Sequence, residues 1–522
     1  MFKRIYFLIP FLIPCLSTLA QIAPGKLYTV TIDMNHTAQT MDNIGASGCW
    51  FSEGIGKYWP SEKKERIAEL LFSQKMDAQG APVGIGLSAW RFNIGAGTFE
   101  QGDSSGIRDF RRRAECFLNP DGTYDWTKQA GYRFFLQKAR DYGVPNLIAF
   151  SNSPPVQFTK NGLGFKTERD FKANLKDDAY DAYTKFLTDV IKHFDKEGLH
   201  FNYISPVNEP QWDWAHPDKK GDQEGSPWSN AEIYRVTKSL NTALDKARLN
   251  TRILITEAAK LSYLYGDKAQ AAHQVQAFFK PASPYNVEEL SHVPQLIGGH
   301  SYFTEANDST LVATRSMLAD TLKKYGVNYW QTEYSMLGDG YKEGLKGRRS
   351  AMDCALFLAK VIHTDISVGN ATAWQFWNAY EPGNAAFDTR YCLIALKAAP
   401  DFKDGEFTAT KNLWALGSYS RFVRPGMKRI ITSMANNQNV INDKLLVTAF
   451  TNNKQVVVVS INYDTTDATL KLDVINPKKK YTLQTRYLTA DGDELNMKPS
   501  PGQACGQQIT LPARSISTII IN

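Results

Sequence analysis

Short apolar runs alternate with longer amphipathic stretches along the chain from Asn43 to Asn412. The runs Ile44–Cys49, Gly86–Phe92, Asn146–Ser151, Tyr203–Val207, Arg252–Thr256, Ile297–Tyr302, Tyr329–Thr332 and Ala371–Trp377 read as strands. Ser61–Phe72, Trp126–Tyr142, Ala179–Glu197 and Asn230–Ala247 read as helices between them. Eight strands in strand–helix repetition predict a (β/α)8 barrel. An open doubly wound sheet would want an early glycine-rich phosphate turn, and none of the right form is present.

The pattern changes on both sides of that region. Leu27–Asp33 and Ala38–Met41 are β-prone. From Met427 onward helical periodicity is absent. Lys444–Thr451, Gln455–Tyr463, Ala468–Val474, Tyr481–Leu488 and Gln508–Asn522 read as strands of an antiparallel β domain, with turns at Asn452-Asn453-Lys454 and Asp491-Gly492-Asp493. No Ser-, Pro- or Gly-rich linker separates this domain from the barrel, so the two are expected to pack tightly. Glu381–Asp388 reads as a long loop after the eighth strand.

Composition narrows the partners. With 522 residues, 43% hydrophobic and 22% charged, the chain is an ordinary globular one with room for a second domain. Its formal charge of +7 is a weak bias, and no basic stripe carries interleaved aromatics, so nucleic acid is not expected as a partner. Lys3 and Arg4 precede the apolar run Ile5–Leu16, and Thr18-Leu19-Ala20 offers small residues before Gln21. Residues 1–20 therefore read as a secretory signal peptide, the apolar run being too short to span a bilayer. An exported monomer without an integral membrane segment is expected, whether periplasmic, surface-held or released. Five cysteines would remain, Cys49, Cys116, Cys354, Cys392 and Cys505, in spacings that match no metal site; buried thiols or one disulfide fit.

The candidate chemistry lies at two strand ends. Tyr203–Val207 stops at Asn208-Glu209-Pro210, and Tyr329–Thr332 stops at Glu333. Two carboxylates on separate strand ends of one barrel are what glycoside hydrolysis requires: one attacks the anomeric carbon, the other protonates the departing oxygen and later activates water. The acid must hold its proton near working pH, and the nucleophile must stay ionised. Neither role calls for a metal or organic cofactor, and none is expected.

Several neighbours fit around the pair. Arg91, closing the second strand, is placed to keep Glu333 charged, or serves as a plain structural ion pair. Asn208 is placed to reach the hydroxyl beside the anomeric carbon. His300 and Tyr302, ending the sixth strand, are placed to donate toward either carboxylate, a satisfied core histidine being the duller reading. Trp377 at the end of the eighth strand offers a floor for a sugar ring; Trp374 within it fits either a floor or barrel packing. Trp212, Trp214 and Trp228 follow Glu209 and are placed to line further subsites. Glu257, ending the fifth strand, is a third carboxylate for which substrate binding and a helix cap fit equally well. A polysaccharide or oligosaccharide is the expected partner. A non-catalytic carbohydrate-binding barrel is the alternative of another class, and the intact set of Glu209, Glu333, Asn208 and Arg91 argues against it.

Asn208-Glu209-Pro210 with Thr332-Glu333 resembles the clan A glycoside hydrolases, whose acid/base glutamate follows strand four and whose nucleophile follows strand seven. The segment Ala415-Leu416-Gly417-Ser418-Tyr419-Ser420-Arg421-Phe422-Val423-Arg424-Pro425-Gly426 strongly resembles the junction between barrel and side sandwich in glycoside hydrolase family 30. Ser153-Pro154-Pro155 and Leu511-Pro512-Ala513-Arg514-Ser515 are similar to the same family. The resemblance implies an α/β fold, a (β/α)8 TIM barrel with a packed side β-sandwich. Residues 21–42 would join the sandwich, 43–420 form the barrel, and 421–522 supply the sandwich's C-terminal strands. It also implies a retaining β-glycosidase with Glu209 as acid/base and Glu333 as nucleophile. Gly45-Ala46-Ser47-Gly48-Cys49-Trp50 looks most like the endo-β-1,6-galactanase branch, with β-1,6-glucanase and xylan-directed activity as alternatives. The loop after Trp377 lacks the arginine-centred pattern of glucuronic acid recognition, although Arg390 lies further on.

Overall fold

The computed structural model describes residues 26–338, 349–434 and 444–522; the signal-peptide reading of residues 1–20 falls outside them. After β1 (Lys26–Thr40) come the barrel strands β2 (Asn43–Ser47), β3 (Ala89–Asn93), β4 (Asn146–Phe150), β5 (Tyr203–Ser205), β6 (Arg252–Ile253), β7 (Ile255–Ala258), β8 (Leu296–His300), β9 (Asn328–Glu333) and β10 (Ala373–Phe376). They form one parallel sheet in the order β6-β5-β4-β3-β2-β10-β9-β8-β7. The two ends of that order are halves of a single stave. The sequence pattern predicts one fifth strand, Arg252–Thr256, but the structure divides it at Leu254 and carries it on to Ala258. Leu254 N donates to Ile204 O at 2.9 Å, so the chain itself closes the sheet into an eight-stave barrel.

Strands buried on both faces are mostly apolar or small, and β2, β3 and β8 are buried at every position, their polar members including Arg91 and His300 at the site. Gly45 in β2 is needed for the close pairing with β3, since a Cβ there would lie 2.6 Å from Ala89 O. Ala89, Ile148, Leu254, Leu296, Trp330 and Ala373 form a separate cluster that plugs the barrel interior. The helices follow the 3.6-residue period. Tyr180–Lys196 buries Tyr183, Phe186, Leu187, Val190, Ile191 and Phe194 on one face. Asn230–Ala247 begins at a capping box between Ser229 and Glu232.

Of the stretch read as a loop after the eighth strand, Glu381–Asp388, only Glu381 and Pro382 lie in a strand. β11 (Tyr380–Pro382), β12 (Ile394–Ala398) and β13 (Gly405–Ala409) make a small sheet of their own. The remaining strands are β14 (Lys428–Met434), β15 (Leu445–Thr451), β16 (Val456–Asn462), β17 (Ala468–Ile475), β18 (Leu483–Thr489), β19 (Lys498–Pro499), β20 (Gln503–Ala504), β21 (Ile509–Leu511) and β22 (Ser515–Ile521). They join β1 in a ten-stranded sheet. The expected last strand is broken in two at Pro512–Arg514, where Arg514 has φ of +50°. The domain is also not purely antiparallel, because β1 runs parallel to β17.

Alternation along these strands sorts side chains between two cores. Val456, Val458, Leu445, Val447, Ile519 and Ile521 meet residues of β1, β17 and β21 in one cluster, so the sheet folds over on itself as a sandwich. Their neighbours Val457, Val459, Ile461, Leu446, Ile516 and Ile520 belong to the barrel's cluster. The helices Ala351–Ser367 and Lys411–Ser420 lie in that interface, which explains why the second is buried at all ten positions. Thr518 Oγ1 donates to Ser418 O at 3.0 Å, and Arg514 pairs with Asp353 at 2.6 Å.

Asp365 on the first of these helices is fully buried beneath the barrel's catalytic end. It accepts from Arg315 Nε at 2.7 Å, from Trp374 Nε1 at 2.9 Å and from Ser301 Oγ at 3.0 Å. Removing one partner of a buried, hydrogen-bonded ion pair costs about 3–5 kcal/mol, because the other charge is left uncompensated. Asp365→Ala is therefore expected to lower the melting temperature by several degrees in calorimetry, with Asp365→Asn intermediate.

Candidate active site

β5 ends at Ser205, and Glu209 follows with φ of +44°, a left-handed conformation that costs energy for a residue with a Cβ. The backbone there is pinned on three sides. Glu209 N donates to Glu257 O at 2.9 Å, while Trp212 N and the Trp214 indole N–H donate to Glu209 O at 3.2 and 3.1 Å. Glu333 is the last residue of β9, and its partner Arg91 lies in β3. Arg91 Nη1 donates to Glu333 Oε1 at 2.8 Å and to Thr332 O at 3.0 Å.

His300, the last residue of β8, is the hinge of the arrangement. Its Nδ1 stands 3.0 Å from Glu209 Oε1 and 3.4 Å from Glu333 Oε2, and its Nε2 is 3.4 Å from Glu257 Oε2. Tyr302 OH donates to Glu333 Oε2 at 3.4 Å. Burial disfavours a charged imidazole, yet the Glu333 charge and the hydrogen bonds to Glu209 and Glu257 push His300 up to about 10. One oxygen of Glu209 and one of Glu333 lie within 4.8 Å of each other.

Sequence reasoning underrated Glu257. It is fully buried, takes hydroxyl hydrogen bonds from Ser205 and Thr332, and faces Arg91 Nη2 at 3.4 Å. Burial raises a carboxylate, but the Arg91 charge, then His300 and the Ser205 hydroxyl, hold Glu257 down at about 2. It neither caps a helix nor opens to substrate; it is a permanent anion beneath the pair. Burial pushes the Glu333 carboxyl above its ordinary 4.5 and the Glu209 charge adds to this, while His300 and Arg91 oppose the rise. Three carboxyls thus face two cations, and one proton on the Glu209–Glu333 pair makes the buried cluster neutral. The same Glu209, His300 and Glu333 atoms lie within 4.8 Å of one another, a spacing that a metal ion could also use.

The other expected residues divide. Asn208 is buried, with Nδ2 on Asn152 Oδ1 at 3.0 Å, and Asn152 in turn donates to Asn93 at 3.1 Å. Trp377 is half-buried beside Trp50, ring centroids 5.2 Å apart, and beside Phe150, over which the Arg91 guanidinium sits at 4.3 Å. Trp212 is half-buried on the loop after Glu209. Two expectations are corrected. Trp374 is wholly buried with its indole N–H on Asp365, so it packs the barrel and offers no sugar floor. Trp228 is buried against Tyr180 and Tyr183 and lines nothing.

A barrel with two facing carboxylates at its strand ends, braced by buried cations, defines the class of barrel hydrolases that work with a carboxylate pair. A family model described as O-Glycosyl hydrolase family 30 matches residues 27–389, and the chain belongs to that family. It is 26% identical over 243 residues to an endo-beta-1,6-galactanase of Hypocrea rufa, covering 43% of this chain and 48% of that protein. The chain thus spans about half the length of that relative. It is 23% identical over 351 residues to glucuronoxylanase XynC of Bacillus subtilis (strain 168), covering 67% of this chain and 68% of that one. A solved conserved exported protein from Bacteroides fragilis is 33% identical with a TM-score of 0.87, covering 94% of this chain and all of that one.

His300 titrates near 6.5 in an unfolded chain and near 10 here, so its contribution to stability is fully present below pH 6.5 and is lost as pH rises through 10. The ¹⁵N shifts of His300 are expected to report an imidazolium up to about pH 10. Glu257→Gln removes one of the anions that hold this proton, and the transition is expected to move to lower pH.

Proposed function

We propose that the protein is an exported, retaining endo-hydrolase of a β-linked polysaccharide, with β-1,6-galactan as its substrate. The observation that carries this reading is the Glu209–Glu333 pair, whose nearest oxygens lie within 4.8 Å. Retaining glycosidases hold their carboxyls about 5–5.5 Å apart, whereas inverting ones leave room for a water at about 6.5–9.5 Å. In this reading Glu333 attacks the anomeric carbon. Arg91 and Tyr302 each donate to one of its two oxygens and so fix the orientation of the carboxylate. Glu209 protonates the departing oxygen, then takes a proton from the water that releases the sugar. His300, hydrogen-bonded to Glu209 and ion-paired with Glu333, holds their relative position, and Glu257 keeps His300 charged. Asn208 is in place to bind the hydroxyl beside the anomeric carbon.

Support for galactan is the Gly45–Trp50 segment together with the similarity to the Hypocrea rufa galactanase. A xylan-directed activity is the second reading, favoured by the longer alignment to the Bacillus glucuronoxylanase. Export is supported by the leader-like residues 1–20 and by the exported Bacteroides fragilis protein.

The test is a product profile on β-1,6-galactan, β-1,6-glucan and glucuronoxylan. A ladder of oligosaccharides from galactan alone is the expected outcome, with the β-anomer appearing first by NMR; a ladder from xylan alone would select the second reading. Glu333→Gln is expected to lower kcat by at least about 10⁴-fold, and Glu209→Gln by about 10²–10⁴-fold. Equal weak activity in wild type and both variants would leave only a binding protein. The nucleophile must be ionised and Glu333 is raised above 4.5, so the acid limb of the rate profile is expected above pH 4.5. A profile flat from about pH 4 to about pH 9 would falsify the carboxylate-pair mechanism.

A further inference from the structure

Past Glu209, on the side where the leaving group must lie, three strand-end loops converge on a small aromatic platform. The loop after β5 contributes Trp212, the loop after β7 contributes Lys260 and Tyr263, and the residue after Tyr302 is Phe303. Trp212 stands edge to face with both other rings, its centroid 6.5 Å from Tyr263 and 6.4 Å from Phe303 at interplanar angles of 89° and 88°. Phe303 is 47% exposed. Its φ of +59° puts a bulky side chain in a conformation that L residues rarely adopt.

The platform carries a cation. Lys260 Nζ lies 4.9 Å from the Trp212 ring centroid and 5.3 Å from that of Phe303. No carboxylate among the described residues stands within ion-pairing distance of it. The assembly is held in place from below. Gln211 is buried, with Oε1 accepting from Ala259 N at 3.0 Å and Nε2 donating to Ala271 O at 2.7 Å, which ties the Trp212 loop to the Lys260 loop. Tyr263 N donates to Lys260 O at 3.2 Å. The exposed Phe303 ring, braced edge to face by Trp212 and with an ammonium beside it, suits a flat sugar ring that bears a negative charge.

We infer that Trp212, Phe303 and Lys260 form a subsite on the leaving-group side for a sugar residue carrying a carboxylate. The inference rests on the proposed roles of Glu209 and Glu333, which define that side. Stacking on Phe303, with the Trp212 ring bracing it, would supply most of the affinity, and Lys260 would supply the preference for an acidic residue over a neutral one.

The experiment uses the full-length Glu333→Gln protein, so that ligand is not consumed. Calorimetry compares β-1,6-galactan oligosaccharides bearing glucuronic acid branches with the same material after carboxyl reduction, and repeats the pair with uronic-branched xylan oligosaccharides. The acidic form of one pair is expected to bind roughly threefold tighter, a preference that fades as salt is raised. Adding Lys260→Gln is expected to erase the preference, and adding Phe303→Ala to weaken both forms alike by about tenfold. Unchanged melting temperatures exclude loss of fold as the cause. Equal binding of acidic and reduced forms, or a preference that survives Lys260→Gln, overturns the proposal. If Glu333→Gln does not lower hydrolysis while the Lys260-dependent preference persists, the hydrolase reading fails and the acidic subsite stands.

Discussion

Everything at the catalytic end depends on one constraint: five ionisable groups, Glu209, Glu257, His300, Glu333 and Arg91, share a buried space. Charges taken out of water are tolerated only when each is met by partners of the right sign and geometry. Here each strand end delivers one member, and none is satisfied by its own strand. Arg91 from β3 reaches Glu333 on β9 and Glu257 on β7; His300 on β8 links all three carboxylates. A barrel that did not close would leave these charges unpaired. The site and the closure of the sheet are therefore one requirement.

That requirement explains the division of labour within the barrel. The interior is plugged by Trp330, Leu254 and their small neighbours. One layer away, Asp365 gathers Arg315, Ser301 and Trp374 and so anchors the loop that begins at His300. The β domain adds stiffness from outside. Its strands present one face to their own sandwich and the other to the helices Ala351–Ser367 and Lys411–Ser420, so the sheet cannot shift without opening two cores.

Much of this was legible in the chain. The eight apolar runs fell where the eight staves lie, because strands buried on both faces leave a dense apolar signature that solvent-facing segments lack. The helix Asn230–Ala247 was readable to the residue from its period. Glu209 and Glu333 stood out because each ends such a run, and a carboxylate at that point has no packing reason to be there. Less legible were the break at Leu254 and the local sheet formed by β11, β12 and β13, since short pairings are decided by partners distant in sequence. Trp374 and Trp377 differ by three positions, and pattern alone left Trp374 open between a sugar floor and barrel packing; the hydrogen bond from its indole to buried Asp365 decides for packing.

The sequence by itself determined the architecture and the two glutamates, because hydrophobic period and the residue types at strand ends are local properties. It did not determine what each ionisable group does. Glu257 looked like a spare carboxylate and is the fixed anion at about 2; His300 looked like a donor and is a cation held near 10. Those states come from charges that belong to strands far apart in the chain, brought within about 3 Å only by closure of the barrel. Electrostatic roles depend on distance and burial, and both exist only once the chain has folded.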